Sequence, residues 1–376
     1  MATMDSALNN LTQRVRAAAA DGHALRLRGG GTKDFYGQSL QGEVLDTRAL
    51  SGIVSYEPSE LVVTVRAGTL LSDLEATLAE RGQVLAFEPP HFGAGATVGG
   101  MVASGLAGPA RAAVGTVRDY ILGVVMLNGK AELLTFGGQV MKNVAGYDVS
   151  RLMAGSLGTL GVLVNVSIKV LPQPVAETTL VFEMDEAQAI TQLNRWGAQP
   201  LPINASSWVI DGGRGVLYLR LRGAAAAIEA ACTRLLAEHP GQRVDSEATR
   251  KDWEAARELR LPWFEAGQAR GQDLWRLSVP STAAPLQLGD TMMDWMGAQR
   301  WVHADPQDSA AVQRLRQAAA SVGGHATLFR ASAQDPMPNK PRFHDVSPAL
   351  AKISRALKTQ FDPAGIFNRG RLYPDF

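Results

Sequence analysis

Near its start the chain reads Arg28-Gly29-Gly30-Gly31-Thr32-Lys33, and this glycine-rich stretch decides how the rest of the fold is interpreted. It follows His23-Ala24-Leu25-Arg26-Leu27, whose alternation predicts a short strand. Three glycines in a row have no side chains to bury, but they allow other atoms to approach the backbone closely. Successive N–H groups in such a turn can converge on an anion, with Arg28 and Lys33 adding positive charge. By itself the stretch is compatible with a pyrophosphate cradle and with a flexible turn.

Length and composition set the class of protein. The chain has 376 residues, of which 46% are hydrophobic, and this suits two or three domains with buried cores. Its formal net charge of +1 provides no electrostatic reason to expect nucleic acid or an anionic membrane as a partner. Cys232 is the single cysteine, so the chain cannot hold a disulfide or a cysteine-based zinc or iron–sulfur site, which fits a reducing compartment.

The sequence shows no targeting or membrane signal. Residues 1–11 are polar and do not predict a secretory signal, and no apolar run is long enough to span a membrane. We therefore expect a cytoplasmic protein without direct membrane insertion. Any peripheral attachment to the inner membrane would be made through partner subunits.

Two further glycine clusters follow the first. The second covers residues 93–105, where Thr97 is expected to cap a short helix that begins at Val98. The free N–H groups of such a helix would face an anion, although a close contact between helices through glycine explains the same residues. The third cluster covers residues 154–161 and leads into a predicted strand at residues 162–170.

The other segments before residue 174 predict a mixture of helices and strands. Predicted helices cover residues 5–20 and 70–80, the second with Thr69 as its N-cap. Residues 121–136 predict a hairpin around Asn128-Gly129, a pair that favours a tight turn between apolar runs. Further strands are predicted at residues 44–47, 53–56 and 60–66.

Glycine is sparser after residue 175, and the pattern changes. Strand-like runs cover residues 178–183, 205–210, 215–222, 273–279, 299–304 and 325–330. Helix-like runs cover residues 185–195, 224–238, 246–260, 282–297 and 307–320. This alternation predicts an open antiparallel sheet covered by helices, in a ferredoxin-like arrangement. A proline-rich linker at residues 334–341 and a basic amphipathic helix at residues 349–360 follow.

The three glycine clusters together are more specific than any one of them. No G-x-G-x-x-G opens a βαβ unit, and no P-loop sequence is present. The order of clusters and strands over about residues 10–172 resembles the FAD-binding domain of the vanillyl-alcohol-oxidase-like (PCMH-type) flavoproteins. This resemblance implies an α+β fold with a two-subdomain PCMH-type FAD-binding domain at residues 1–174. It also implies a small ferredoxin-like α+β cap domain at residues 175–333 and a C-terminal segment, residues 334–376, that returns to the FAD domain.

A narrower resemblance concerns activity. Residues 142–148 and 361–372 resemble the glycolate oxidase and D-lactate dehydrogenase branch, and residues 88–92 and 324–330 are most similar to the family of glycolate oxidase E subunits. The resemblance implies an FAD-binding subunit that takes part in oxidation of glycolate, a 2-hydroxy acid, to glyoxylate. Its partners would be a catalytic sister subunit with FAD and a metal, and an iron–sulfur subunit that receives the electrons. A non-catalytic flavin-bearing scaffold or electron relay, and a stand-alone D-2-hydroxyacid dehydrogenase, are the alternatives.

The resemblance also assigns residues to the cofactor. Those implied to bind FAD are Arg28, Gly29, Gly30, Gly31, Thr32, Lys33, Pro89, Thr97, Val98, Gly99, Gly100, Ser104, Gly105, Tyr147, Gly155, Gly158, Thr159, Gly161, Val162 and Asn368. Members with covalent flavin carry histidine where this chain has Thr32, so non-covalent FAD is expected. The metal-binding H-x-G-D-G-N-x-H segment of the sister subunit is missing, and residues 323–327 stand in its place, so no metal is expected.

Catalysis on a 2-hydroxy acid requires a cation for the carboxylate and a base for the hydroxyl proton. An arginine fork matches a carboxylate, and the candidates are Arg330, Arg342, Arg369 and Arg371. The candidate bases are His91, His325 and His344. Surface ion pairs or ordinary structural hydrogen bonds would explain each of these residues equally well, so no single catalytic residue is assigned.

Overall fold

The computed structural model describes residues 2–38, 40–138, 148–244, 246–335 and 340–374. In chain order the α-helices are α1 (Ala2–Asp21), α2 (Leu71–Ala79), α3 (Val98–Ser104), α4 (Arg111–Val114), α5 (Val117–Tyr120), α6 (Glu186–Gly197), α7 (Ala225–Glu238), α8 (Ser246–Arg257), α9 (Pro262–Ala269), α10 (Ala311–Ser321) and α11 (Pro348–Phe361). The first strands are β1 (Leu25–Arg28), β2 (Glu43–Asp46), β3 (Ile53–Glu57), β4 (Val62–Arg66), β5 (Gln83–Val84), β6 (Ile121–Leu127), β7 (Leu133–Gly137), β8 (Val162–Lys169) and β9 (Leu171–Pro172). The later strands are β10 (Ala176–Glu183), β11 (Ile203–Asp211), β12 (Arg214–Gly223), β13 (Gly241–Val244), β14 (Asp273–Ser278), β15 (Thr291–Asp294), β16 (Gln299–Ala304) and β17 (His325–Arg330).

The chain divides into two compact units. Unit 1 contains Met1–Leu106, Thr116–Gln173 and Asp345–Phe376, and unit 2 contains Ala107–Gly115 and Pro174–His344. Sequence analysis places the last boundary at residue 334, whereas residues 340–344 group with unit 2. Their contacts explain this, because the Lys340 ammonium lies 3.1 Å from Asp273 and the Leu328 N–H donates to the Arg342 carbonyl.

Unit 1 contains a five-stranded sheet and the two-stranded sheets β1–β2 and β5–β9. Strands β1 and β2 pair in parallel, and an antiparallel five-stranded sheet has the order β3-β4-β8-β6-β7. The β-branched strand β4 and the long strand β8 are buried along most of their length, as expected for central strands with both faces covered. The predicted strands and the helix at residues 5–20 are therefore confirmed.

Two local predictions in unit 1 were wrong. Thr69 is not the N-cap of α2, because Leu70 occupies that position and the Thr69 hydroxyl accepts the Gly52 N–H instead. The hairpin β6–β7 forms, but its connection is longer than the tight turn predicted at Asn128-Gly129. The Asn128 side chain accepts the N–H groups of Lys130 and Glu132, and these bonds organise a wider loop.

The C-terminal segment is part of the core of unit 1. Ile366 and Phe367 are fully buried against α1 and β1. The buried Lys358 ammonium donates to Asp362 at 2.8 Å, to the Phe367 carbonyl at 2.8 Å and to the Thr159 carbonyl at 2.7 Å. These contacts join α11 and the C-terminal turn to the third glycine cluster, so the predicted return of this segment to the FAD domain is confirmed.

Unit 2 contains an antiparallel sheet with the strand order β13-β10-β12-β11-β15-β16-β14-β17. Its first half, β10-α6-β11-β12-α7-β13, is a complete ferredoxin-like motif. The second half repeats the same strand order in reverse, and the two halves meet where β11 pairs with β15. Helices α6 and α7 cover one face of the first half, and α10 covers the same face of the second. The predicted ferredoxin-like sheet is thus confirmed, in a doubled form.

The helix predicted at residues 282–297 was wrong. This segment is a loop followed by β15 and a short 3₁₀ turn at Trp295–Gly297, where Trp295 and Met296 both have positive φ. Met292 and Met293 are both buried although they face opposite sides of the sheet. A strand with both faces buried lacks alternation and resembles a helical run. The loop stands where the first helix of the second ferredoxin-like half would be.

Candidate functional site: a glycine-lined groove and a cationic cluster

A groove in unit 1 brings the three glycine clusters together. The space between its walls, counted together with the solvent at its open side, is about 470 Å³. The end of β1, the start of α3 and the loop before β8 form its walls. The lining residues are Leu27, Arg28, Gly29, Thr47, Ala67, Gly99, Gly100, Ala103, Ser156, Leu157, Gly158, Gly161, Val162, Leu163 and Asn368.

The first glycine cluster presents a row of backbone donors. Within the described parts of the chain, no protein atom accepts a hydrogen bond from the N–H groups of Gly29, Gly30, Gly31 or Thr32. The loop is held from outside, because the Arg28 carbonyl accepts the Thr47 N–H. Gly31 has φ of +72° and lies against the Arg28 guanidinium, leaving no room for a Cβ. Consecutive unused donors in a glycine turn fit a phosphate or pyrophosphate.

The two cations of this cluster are already engaged. The Arg28 Nε donates to Asp34 at 2.9 Å, and the Lys33 Nζ donates to the His91 carbonyl at 3.2 Å. The positive charge of Arg28 is therefore partly neutralised, and the Lys33 ammonium is held by a backbone carbonyl. The backbone donors, more than these side chains, make the loop suitable for an anion.

The start of α3 differs from the expectation. Thr97 is the N-cap as predicted, and its hydroxyl accepts the Gly100 N–H at 3.2 Å. However, Val98 donates to the Thr69 carbonyl and Gly99 donates to the Ala67 carbonyl. The Met101 N–H is used within the helix. The prediction of free N–H groups at this helix end was therefore wrong, and α3 contributes a close backbone surface to the groove.

Several glycines are needed because two loops approach each other too closely for a side chain. A Cβ on Gly30 would lie 1.5 Å from the Gly95 carbonyl oxygen, and one on Gly29 would lie 2.3 Å from the Thr97 hydroxyl. A Cβ on Gly99 would lie 2.9 Å from Ala67. The first and second clusters thus stack backbone against backbone. The glycines of these loops therefore have two roles: some leave backbone N–H groups available to an anion, and others allow two loops to touch.

Asn368 connects the C-terminal turn to the groove. Its side-chain oxygen accepts the Leu27 N–H at 2.7 Å, and its amide nitrogen donates to the Leu157 carbonyl at 2.5 Å. A Cβ on Gly158 would lie 2.7 Å from this amide nitrogen. Asn368 therefore lines the groove chiefly by holding β1 and the third glycine cluster together.

The structure places the predicted cofactor residues in two groups. Those that line the groove are Arg28, Gly29, Gly99, Gly100, Gly158, Gly161, Val162 and Asn368. Those described but outside its lining are Gly30, Gly31, Thr32, Lys33, Pro89, Thr97, Val98, Ser104, Gly105, Gly155 and Thr159. Tyr147 lies outside the described residues. Sequence reasoning missed Thr47 and Ala67, which follow β2 and β4, carry no glycine signal and reach the groove only through the packing of these strands. Ala103 and Ser156 also line the groove, and they lie within the second and third glycine clusters without having been assigned individually.

Two of the arginine candidates have structural roles. Arg371 is buried and donates to the carbonyls of Asp34 and Tyr36, so it holds the loop that follows the first glycine cluster. Arg369 donates to the carbonyls of Gly22 and Gly365. The proposed base His91 is also engaged, since its Nε2 lies 3.0 Å from a Glu75 carboxylate oxygen.

Unit 2 gathers cationic groups around two histidines. The rings of His325 and His344 stack with their centroids 4.4 Å apart. Burial, followed by the charges of His344, Arg276 and Arg111, lowers the pKa of His325 to about 4. Arg111 lies over the Trp295 ring, 4.2 Å from its centroid. The four groups form a cationic cluster, defined here as Arg111, Arg276, His325 and His344.

Three further arginines of unit 2, Arg276, Arg330 and Arg342, lie in aromatic or buried surroundings. Arg276 lies over the Phe329 ring at 5.4 Å. Burial lowers the pKa of Arg330 and of Arg342, so both guanidinium groups have lost part of their hydration. Neither Arg111 nor Arg276 was a candidate in the sequence, because an arginine far from any motif carries no signal until the strands bring it beside His325.

Comparison with known proteins shows that the part of the chain around the groove is similar to FAD-binding proteins. Residues 8–137 match the FAD binding domain family. The chain is 41% identical over 366 residues to glycolate oxidase subunit GlcE of Escherichia coli, covering 97% of each chain. It is 29% identical over 151 residues to glycolate oxidase subunit GlcD of Bacillus subtilis, covering 40% of this chain and 32% of GlcD. A solved alkyldihydroxyacetonephosphate synthase has a TM-score of 0.67 at 14% identity, over 95% of this chain and 73% of that one, which shows a shared fold.

Fold and groove together define a flavoprotein of the PCMH type, with FAD as its cofactor. Gly29 lines the groove and begins the row of unused donors at residues 29–32, and together with the close backbone walls this row supports the assignment. Within this class, the chain belongs to the glycolate oxidase subunit GlcE family. Among the described residues, no helix is both long and apolar enough to cross a membrane.

Proposed function

We propose that the chain is the FAD-binding subunit of a multi-subunit enzyme that oxidises a small 2-hydroxy acid, glycolate, to glyoxylate. The observation that carries this proposal is the row of unused N–H groups at residues 29–32, which begins at Gly29 in the lining of the groove and suits the pyrophosphate of FAD. The near full-length similarity to a glycolate oxidase subunit supports the choice of substrate. When bound, FAD supplies the two-electron redox chemistry.

The protein's own contribution begins with cofactor binding. The N–H groups of Gly29–Thr32 would hold the pyrophosphate, and the backbone of Gly99 and Gly100 would lie along the cofactor. Thr32 offers no ring nitrogen for attachment, so the cofactor is held without a covalent bond. Asn368 and Lys358 keep the walls of the groove together from the C-terminal side.

The cationic cluster of unit 2 is proposed to bind the substrate carboxylate. Arg111 and Arg276 bring positive charge beside the two stacked histidine rings, and a guanidinium group matches a carboxylate in charge and shape. The aromatic rings of Trp295 and Phe329 lie under the guanidinium groups and restrict their orientation. Because His325 is neutral at pH 7, its ring keeps a nitrogen that can accept a hydrogen bond from the substrate hydroxyl.

We further propose that the chain works with a catalytic sister subunit and an iron–sulfur subunit. Cys232 is the only cysteine, so an iron–sulfur cluster that takes electrons onward must lie in another chain. The subunit names of the relatives, GlcE and GlcD, support a complex. The proposed location is the cytoplasm, with any membrane contact made by a partner.

A second candidate function is an electron-relay or scaffold subunit without substrate turnover. The residues favouring it are 323–327, which replace the metal-binding segment of the sister subunit. In this case the cationic cluster would be occupied by a group of another kind or would have a structural role.

The test compares the isolated chain, loaded with FAD, with the reconstituted complex in a dye-reduction assay with glycolate. Arg276→Gln is expected to raise the KM for glycolate about tenfold, because one charged contact to the carboxylate is lost. Arg314→Gln, a change at an exposed arginine on α10, serves as the matched control. Turnover by the complex that does not respond to Arg276→Gln would favour the relay function, and turnover by the isolated chain would favour a stand-alone dehydrogenase.

A further inference from the structure

Unit 2 contains a cavity that the proposed function does not use. It has a volume of about 350 Å³, at the lower end of small-molecule sites. Its floor is the sheet face opposite α6 and α7, and its walls are α8, the start of α9 and the β11–β12 hairpin. The lining residues are Thr179, Ser207, Val209, Ile210, Asp211, Tyr218, Thr249, Asp252, Trp253, Ala256, Leu261, Pro262, Trp263 and Met292.

The interior of the cavity is apolar and aromatic. Trp253 and Met292 are buried, and the indole N–H of Trp253 is satisfied by the Thr179 hydroxyl at 3.0 Å. Trp263 packs against the His303 ring, with ring centroids 4.1 Å apart and the planes tilted by 35°. These fixed ring faces suit a flat apolar body, and an aromatic face also attracts a cation.

The charged groups of the lining are all acidic. Asp211 and Asp252 are exposed at the mouth of the cavity, and the lining contains no lysine, arginine or histidine. Asp211 accepts the hydroxyl of Tyr218 at 3.0 Å. Arg214, the cross-strand partner of Asp211, donates to Glu183 at 3.0 Å, and the buried Arg220 lies over the Trp253 ring and donates to Asn204 at 2.8 Å. The mouth of the cavity is therefore complementary to a positive group.

The floor of the cavity offers a polar group. Ser207 is 4% exposed, and its Oγ makes no hydrogen bond of regular geometry to any described residue. It stands opposite Asp294 on the neighbouring strand. Burial raises the pKa of Asp294 to about 6, while the side chains of Trp301, Ser207 and Gln299 act in the opposite direction. Even where the Ser207 hydroxyl donates toward Asp294, its oxygen keeps acceptor lone pairs, and a hydroxyl or amine on a ligand would donate to them.

From the aromatic walls, the acidic mouth and the polar floor together, we infer that this cavity binds a small aromatic amine that carries a polar group at its far end. The ammonium lies between Asp252 and Asp211, the ring lies between Trp253 and Met292, and the far polar group contacts Ser207. No lining residue belongs to the groove or to the cationic cluster. The inference therefore stands independently of the proposed function.

The test is calorimetric titration of the full chain with four matched probes. They are tyramine, phenethylamine without the hydroxyl, 4-ethylphenol without the ammonium, and 3-(4-hydroxyphenyl)propionate with a negative charge in its place. Tyramine is expected to bind about tenfold more tightly than 4-ethylphenol and phenethylamine, since each lacks one polar contact. The propionate is expected to bind most weakly.

Variants locate the site. Asp252→Asn is expected to weaken tyramine binding about tenfold and to leave 4-ethylphenol unaffected, whereas Glu254→Gln, an exposed change on the same helix outside the lining, changes neither. Ser207→Ala should affect tyramine and spare phenethylamine. Equal affinities for the four probes, no heat of binding at millimolar concentration, or tyramine binding that survives Asp252→Asn would each overturn the inference.

Discussion

Gly30→Ala is the sharpest perturbation of the groove. The added Cβ would lie 1.5 Å from the Gly95 carbonyl oxygen, whereas ordinary contact begins at 3.4 Å. The first and second glycine clusters would have to separate by about 2 Å, and both are backbone, so no side chain can move aside. Overpacking of this kind costs about 1–3 kcal/mol. This corresponds to about a 5-fold to 150-fold loss of FAD affinity if the strain is relieved only in the FAD-free state.

The assay is equilibrium titration of the FAD-free chain with FAD, followed by flavin fluorescence, together with the melting temperature of the same samples. Gly138→Ala is the matched control, because a Cβ there meets no atom within 4 Å. Weaker FAD binding by Gly30→Ala with little change in the control supports the backbone contact. FAD affinity within twofold of the unsubstituted protein would refute the reasoning, because it would mean that the two loops do not need to touch for the groove to form.

The remaining predictions concern stability. Lys358→Met should lower the free energy of unfolding by about 3–5 kcal/mol, because it leaves the buried Asp362 without its cation, whereas Lys352→Met on the exposed side of α11 should be nearly neutral in urea unfolding. Burial raises the pKa of Asp294 to about 6 in the folded state, so the folded protein favours the protonated carboxyl. The contribution of Asp294 to the free energy of unfolding therefore falls as the pH rises through this value. Unfolding free energies should therefore fall by about 1–2 kcal/mol more between about pH 5 and about pH 7.5 in the unsubstituted protein than in Asp294→Asn, and equal slopes would contradict this.

Local sequence signals predicted the parts of the fold that local chemistry controls. The glycine clusters, the Thr97 cap and the strand β8 are all visible as short patterns, and the structure contains them. The C-terminal return was implied by family resemblance. Its physical basis, the burial of Lys358 against the Thr159 carbonyl, joins residues far apart in the chain and leaves no trace in either local pattern.

The features that the sequence predicted wrongly or did not predict all depend on tertiary contacts. The N–H groups of Val98 and Gly99 are consumed by carbonyls of the β4–α2 connection, which no inspection of the second cluster alone could reveal. Strand β15 resembled a helix because both of its faces are buried. Arg111 and Arg276 became candidates only when the fold brought them beside His325, since long-range placement decides which arginines face one another.

Our main inference is that unit 1 holds FAD non-covalently, with the pyrophosphate on the backbone donors of Gly29–Thr32 where the first glycine cluster meets the groove. The most direct measurement is the absorbance spectrum of the FAD-saturated chain, freed of excess cofactor, before and after denaturation and filtration. We expect one FAD per chain, fully released into the filtrate on denaturation. A chain that retains no flavin after saturation, or flavin that stays with the denatured polypeptide, would contradict it.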